Sequence, residues 1–499
     1  GQLAYTVCMS AACLFIPATL IGALFPALGT MAVASKASVA TAVGRVYALN
    51  TIGCVIGSLA AGLLLIPALG WFSSFLWILV ISLLTGLLAL SYGGAWKSPK
   101  ALVWSVPPLV AAIAFASIVH YTPPLNPACK LLFYGEDSFG AVEIVDDPKL
   151  MEGKTLVFNG SCLATTVPNS LRYMRLLGHL PVLLHPKPEK ALVGCFGTGS
   201  TSGAIAIHPE VKHLDIVELS SMILKQSKLF AAENHDVLSK QKVKAQVNDV
   251  RNYLLCTKEK YDVVTFEPPP PSDAGIVNLY TSEFYQLVQK RLNPGGIMCQ
   301  WAPVACGSAK LWKMMVMTAR SVYPYVSIWF PNSHEAIIVA SDEPIKIDFD
   351  QIQSRIDESP AVAESLRGVG MGDANALIAT FAVADKELDD FLGELPAITD
   401  DHPSLEFFLP YAGAWLTDLE IEAPGKMQIA GLARHGAKFK SFDKKKFEDN
   451  WVAIHLLRMA QYNATDGAKC VDDALKMMPD NPWFQWVHRH KNMAVKGLI

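Results

Sequence analysis

The residues best suited to chemistry in this 499-residue chain begin in the stretch ALVGCFGTGSTSG, Ala191 to Gly203. An apolar run, read as a buried strand, enters a turn containing Gly197 and Gly199 and then a helix. Glycines at such a turn let the backbone approach a ligand closely, and the helix N-terminus beyond supplies amide donors. Glu218 closes the next strand about twenty residues on, where a carboxylate accepts both ribose hydroxyls. Asp249 follows the third strand, at the edge where it meets an adenine amino group. Each residue alone reads equally well as a turn or helix-cap residue. Together, polar positions at successive strand ends converge on one crevice of a doubly wound sheet.

The elements that must position them alternate along the chain. A helix over about Ser170–Leu184 precedes the strand Ala191–Cys195. The strand Leu214–Glu218, a helix over Ser221–Asn234 and strands at Val243–Val247 and Asp262–Phe266 follow. A helix over Ser282–Leu292 and a strand at Gly296–Trp301 continue the pattern. Strands alternating with helices imply a parallel sheet with right-handed crossovers. Ahead of them, Gly140–Val145 and Thr155–Phe158 are short β-rich runs, and Asn159-Gly160 is a turn pair. They predict a small antiparallel β element. The last stretch, Arg434–Ile499, opens with Lys438, Lys440, Lys444, Lys445 and Lys446 and then reads as helical. Such a lysine run is a solvated face or a contact for anionic lipid headgroups.

The N-terminal part has a different composition. Mean hydropathy is +0.29 and charged residues make up only 17% of the chain, both unusual for a wholly soluble protein. Residues 1–35 and 46–96 contain no Asp, Glu, Lys, Arg or His. Runs of that length exceed the ~20 residues that cross a bilayer. They divide into four expected membrane segments: Leu3–Leu24, Val46–Leu69, Phe72–Leu90 and Ala101–Val119. Gly53, Gly57, Ala60, Ala61 and Gly62 let helices pack closely in lipid. Without ionisable residues in the spans a proton or ion relay lacks its raw material, which favours anchoring over transport. Lys36, Arg45, Lys97 and Lys100 place the first and third loops in the cytoplasm. Whether Ala101–Val119 spans or lies re-entrant, with Pro107 and Pro108 near its start, then decides which side the soluble part faces.

A net charge of −3 gives no electrostatic case for nucleic acid. The ten cysteines form no CxxC pair and no Cys/His set at zinc spacing, so neither a metal site nor a disulfide framework is expected. The division that follows is 1–122 membrane helices, 123–168 β element, 169–345 Rossmann-like domain, 346–433 mixed extension and 434–499 helical C-terminal region. In class terms this is a multi-pass α-helical membrane region plus an α/β Rossmann-like domain of the class I methyltransferase type.

The succession LPVLLHP, LVGCFGTGS, HLDIVELS, VNDVRNYL, YDVVTFEPPPP and NLYTSEFYQLVQKRLNPGGIMCQW resembles the spermidine synthase family of aminopropyltransferases. With its apolar N-terminal part, the chain looks like a bacterial subgroup in which such a domain is fused to a transporter-like region of the inner membrane. The likeness covers about Ser138–Pro303. Beyond Ala340 it is confined to Thr399-Asp400-Asp401-His402-Pro403. It implies an adenosyl donor, S-adenosylmethionine or its decarboxylated form, with Glu218 and Asp249 holding ribose and adenine and Gly197 and Gly199 in the nucleoside turn. It also implies that Tyr173 is an active-site tyrosine and that Glu267 stands where the family has its catalytic aspartate.

Four positions depart from the family's pattern. Thr198 stands between the glycines in place of an acid that holds the donor's amino end. Met174 and Arg175 replace a His or Gln and a Glu, and Pro270 replaces an aspartate, all of which contact the polyamine. Removing two anions and adding a cation is expected to repel putrescine, because a buried di-cation depends on nearby carboxylates. Glu267 retains a carboxylate one methylene longer, and a misplacement of ~1 Å can cost ~100-fold in rate. Pro268–Pro271 has no amide donors and stiffens the adjoining loop. Two readings result: a transferase acting on an acceptor other than a common polyamine, or an inactive domain serving as a subunit of a membrane assembly.

Overall fold

A computed structural model describes residues 38–92, 129–147, 152–271, 275–304, 308–332, 334–408, 442–462 and 466–495, with scattered helical positions within 8–30 and 107–114. The expected segments Leu3–Leu24 and Ala101–Val119, apart from those positions, lie outside the described residues, as do Lys438 and Lys440 of the lysine run.

Two apolar helices stand in the first unit. Val39–Leu69 (α1) has 31 residues and Trp71–Ala89, within the helix Trp71–Tyr92 (α2), has 19; both are long and apolar enough to cross a bilayer. Gly70, at φ +79°, ends α1 in a left-handed conformation that a glycine adopts without penalty. Leu49, Ile52, Leu59, Leu63 and Leu64 of α1 are exposed. A helix that leaves so much apolar surface uncovered calls for a non-aqueous neighbour.

The second unit opens with a four-stranded antiparallel sheet in the order β1-β2-β3-β4, from Lys130–Asp137 (β1), Gly140–Asp147 (β2), Gly153–Phe158 (β3) and Ser161–Thr165 (β4). The two expected strands are β2 and β3; β1 and β4 were not foreseen. The turn pair Asn159-Gly160 joins β3 to β4, both residues having positive φ.

A larger sheet follows. Its strands are Lys190–Gly194 (β5), His213–Glu218 (β6), Val243–Val247 (β7), Tyr261–Phe266 (β8), Leu292–Pro303 (β9), Tyr325–Trp329 (β10), Glu335–Ser341 (β11) and Phe381–Ala384 (β12). They lie in the order β12-β10-β11-β9-β8-β5-β6-β7. From β7 to β9 neighbouring strands run parallel. β11 is antiparallel to both β9 and β10. The chain leaves β5 in one direction to β6 and β7 and returns to β8 on its other side. That reversal is the switch point at which doubly wound sheets open a crevice. The Rossmann-like expectation is met, and the sheet takes its edge strand β12 from inside the stretch set apart as an extension.

Two helices differ from expectation. The stretch Ser221–Asn234 is three short pieces, Ser221–Lys225, Ser227–Phe230 and Ala231–Asn234. The Asn234 side chain donates to the Ser227 carbonyl at 3.0 Å and replaces the helical amide there. The helix expected over Ser282–Leu292 stops at Gln289, because the Arg291 carbonyl already accepts from the Tyr261 amide at 2.8 Å.

The helix Pro168–Leu184 (α3) begins with a proline in its first turn, where no amide is lost, and is buried along most of its length. One core joins α3 to Cys299, Trp301, Ile337 and Val339 on one face of the sheet. The same core includes Trp483, Phe484 and Trp486 of the C-terminal helix Pro482–Arg489. The C-terminal region is helical as expected, over Lys444–Tyr462, Gly467–Met477 and Pro482–Arg489.

Candidate active site

The turn after β5 is shaped by backbone conformation. Gly197 and Gly199 have φ +54° and +81°, and Cys195 occupies the same left-handed region at +66°. That conformation is unfavourable for a residue with a Cβ and is held only where surroundings enforce it. At Gly199 a Cβ would collide with the Phe196 ring, whereas at Gly197 there is space and only φ demands glycine. The Asn234 side chain ties the turn down, donating to the Thr198 carbonyl at 3.0 Å.

Glu218 ends β6 as expected. Its two oxygens accept from the Phe196 amide at 2.8 Å and the Ser220 amide at 2.9 Å. Burial pushes this carboxyl up, and the amides of Ser220, Phe196, Leu219 and Gly197 oppose that rise. Asp249 caps the helix Val250–Cys256, its Oδ1 accepting from the Asn252 amide at 2.7 Å. Glu267 follows β8. Gly197, Glu218, Asp249 and Glu267 line a single cavity of about 350 Å³, with Leu219, Ile223 and Leu279 among its apolar walls. Gly199 and the helix Ser200–Ala206 do not line it, so the amides of that helix N-terminus, expected as ligand donors, stand outside the cavity. Arg251, also in the wall, pairs through both terminal nitrogens with Asp400 of the Thr399–Pro403 stretch.

Tyr173 meets Glu267. Its hydroxyl donates to Glu267 Oε1 at 2.9 Å, and the Thr201 hydroxyl donates to Oε2 at 2.9 Å. Burial pushes the Glu267 carboxyl up to about 7, although both hydrogen bonds favour the charged form. A carboxyl poised there can take up a proton near neutrality. Tyr173 itself is held well above its ordinary range by burial and by Glu267.

The replaced positions do not all behave as their charge suggested. Arg175 lies two residues from Tyr173, which on a helix turns it to another face. Its Nη1 donates to the Ser365 carbonyl at 2.9 Å, and its charge is felt by Glu233 and Glu364. It is absent from the influences on Glu267. The guanidinium therefore adds no cation beside Glu267, and that part of the expected repulsion of putrescine is withdrawn. Thr198 is buried, with its hydroxyl bonded to Ser200 at 2.9 Å and directed at the Met174 sulfur at 3.6 Å. Pro269 lines the cavity and Pro270 brings no charge.

Trp301 and Glu335 were missed. Tyr173 stacks on the Trp301 ring at 6.1 Å between centroids, and the Trp301 indole N–H donates to Glu335. The register explains the meeting. Trp301 of β9 pairs with Ile337 of β11, so Glu335 is its diagonal neighbour on the same face, within reach of an aromatic side chain. A carboxylate opening an otherwise apolar strand, EAIIVAS, was the available signal. Burial pushes Glu335 up to about 7 and Glu267 adds to the rise.

Among the described residues no cluster of three or more His, Cys, Asp or Glu could hold a metal ion. The eight described cysteines are free.

Residues 170–332 match the spermine/spermidine synthase domain. Part of the chain is similar to the polyamine aminopropyltransferases. It is 32% identical over 177 residues to the polyamine aminopropyltransferase of Methanocaldococcus jannaschii, covering 35% of this chain and 59% of that one. It is 24% identical over 247 residues to that of Caldicellulosiruptor saccharolyticus, covering 47% of this chain and 87% of the relative. The crystal structure of spermidine synthase from Thermotoga maritima superposes with a TM-score of 0.44 at 17% identity, over 56% of this chain and 98% of that one. The spermidine synthase-like domain thus holds both Tyr173 and Glu267, together with every nucleoside-facing residue of the sequence reading. The apolar helices and the C-terminal helices fall outside the matched residues.

Proposed function

We propose that this chain is a membrane-anchored transferase of the inner membrane of a bacterium, moving an aminopropyl group from decarboxylated S-adenosylmethionine to an amine other than putrescine. The observation that carries the reading is Glu267, poised at about 7 in the wall of the cavity that Gly197, Glu218 and Asp249 share. The residues fit the nucleoside. Glu218 is fixed by two amides and keeps lone pairs for ribose hydroxyls, Asp249 keeps one oxygen for an adenine amine, and Leu219, Ile223 and Leu279 flank the base. The donor, when bound, supplies an electrophilic carbon beside a sulfonium.

Glu267 accepts a proton from the attacking amine as the new N–C bond forms; the C–S bond breaks and its electron pair leaves on a neutral thioether. Tyr173 and Thr201 hold the carboxylate in place for that transfer. The apolar helices α1 and α2 serve as anchor. Adenosyl donors are cytoplasmic, so this reading requires the domain to face the cytoplasm; protease cleavage of the domain in inverted but not right-side-out vesicles checks it.

One observation favours an inactive accessory domain instead: neutral Thr198 stands where a donor's amino end needs an anion. Calorimetric titration of methylthioadenosine, S-adenosylmethionine and its decarboxylated form into the detergent-solubilised full chain separates the two. Micromolar nucleoside binding supports the transferase, and no binding of any of the three leaves the accessory role.

A further inference from the structure

We propose that Asp400 is a positioning residue for the nucleoside cavity: acting through Arg251, it fixes the wall segment 275–279 against the stretch that carries Asp249. This rests on the nucleoside-binding part of the transferase reading. It adds to that site a segment lying beyond residues 170–332.

Two pieces of the cavity lining come from distant parts of the chain. One holds Asp249 and Arg251, at the start of the helix Val250–Cys256; the other is the 3-10 turn Ile276–Leu279 with Gly275 ahead of it. Arg251 joins them, its Nη1 donating to the Asn278 carbonyl at 2.9 Å. A single 3-10 turn has poor hydrogen-bond geometry of its own, so its place depends on such outside bonds. Asp249 and Leu279 are both assigned to the adenine base above, so the span that Arg251 bridges sets the slot for that base.

Arg251 is held in turn by Asp400. Its Nη1 donates to Asp400 Oδ1 at 2.9 Å and its Nη2 to Oδ2. Two parallel bonds fix the plane of a guanidinium as well as its position. The hydrogen bond from Arg251 holds the Asp400 carboxyl below its ordinary range, and one from Thr281 adds to the fall.

The segment around Asp400 is itself anchored. Ile398 and Leu405, on either side of it, are buried in the core that also contains Val277, Leu279 and Tyr280. Three further bonds tie the same segment to both flanks of the turn. The Ser282 amide donates to the Ile398 carbonyl at 2.9 Å, the Asp400 amide to Glu283 Oε2 at 3.1 Å, and the Gly275 amide to Glu406 Oε2 at 3.2 Å. An isolated exposed ion pair contributes little to stability. This one belongs to a network with backbone groups, whose members act together. Residues 398–406 thus form a strap along the turn, and a wall held in place before a ligand arrives loses less freedom on binding.

The test uses the detergent-solubilised full chain as wild type, D400N, D400E, R251A and the double variant D400N/R251A. Hydrogen exchange of the empty chain reads the pinning, and calorimetric titration of methylthioadenosine reads its consequence. D400N and R251A are each expected to speed exchange over 275–282 by ~10-fold or more, with β5 and β8 unchanged. Each should also weaken methylthioadenosine ~5-fold or more. The double variant should match the single ones, because the two residues act as a unit. D400E, which keeps the charge, should recover most of the loss. Unchanged exchange over 275–282 in D400N, or unchanged affinity, overturns the assignment. A double variant that binds as tightly as the wild type overturns it as well, since Asp400 would then only keep Arg251 out of the cavity. Methylthioadenosine that fails to bind the wild type overturns the transferase reading itself, while exchange in D400N still upholds or overturns the pinning.

Discussion

The wall of the cavity and the side-chain cluster behind Glu267 are built by different means. In the cavity wall, Glu218 and Asp249 are held by backbone amides two to five residues beyond a strand end, and Gly197 and Gly199 set their turn at positive φ. Around Glu267, the side chains of Tyr173, Thr201, Trp301 and Glu335 hold one another across three strands and two helices. A site fixed by local backbone tolerates change elsewhere in the chain. A site fixed by side-chain contacts drifts whenever one member is replaced, and a new charge partner can arise from a strand that had none.

The sharpest way to separate the halves is Glu267→Gln. Turnover with any accepted amine should fall ~100-fold or more while methylthioadenosine affinity is unchanged; equal loss of both would erase the distinction between the halves. Next in size, Glu218→Gln should weaken nucleoside binding about 10- to 100-fold, because it removes the charge behind these hydrogen bonds and leaves one of the two amides facing an NH2 donor. Amine affinity, measured with the nucleoside saturating, should not follow it.

Tyr173→Phe should act on pH dependence. The Tyr173 hydrogen bond favours the charged form of Glu267, so its loss raises the pH at which Glu267 deprotonates. The rising limb of the pH–rate profile, expected near 7 in the wild type, should move alkaline by a fraction of a unit to one unit; a limb that stays put would show that another group governs it. Smallest of all, Arg175→Met should change diamine affinity less than about twofold, since the guanidinium faces Ser365. A large gain in that variant would restore the repulsion argument drawn from composition.

What the sequence disclosed follows the same division. That Gly197, Glu218 and Asp249 share one cavity was legible because it depends on position along a strand–turn pattern. Tyr173 and Glu267 needed the family likeness, since nothing in their spacing joins residues 94 apart. Trp301 and Glu335 were not legible, because their meeting depends on a diagonal register between β9 and β11 that no local pattern encodes. Arg175 was misjudged for a related reason: its charge was visible but the helix face it occupies was not. Strands β5 to β9 were foreseen from alternation with helices, whereas β10, β11 and β12 were not: β10 and β11 follow each other antiparallel with no helix between them, and the four residues of β12 carry no period.

Arg172, next to Tyr173 in sequence, is fully enclosed. Its Nε donates to the Pro331 carbonyl at 2.7 Å, its Nη1 to that of Val369, and its guanidinium lies 4.0 Å from the Trp483 ring centre. Burial lowers its proton affinity to about 9, which still leaves it a cation at neutral pH. Trp483 lies outside residues 170–332, which match the synthase domain, yet it closes one side of the cage around that cation. Inheritance and mechanics therefore draw different borders in this molecule. The segment that looks like an appendage by ancestry is a wall of the working part, and a shortened chain that ends before it would expose a charge one residue from the tyrosine that steadies Glu267.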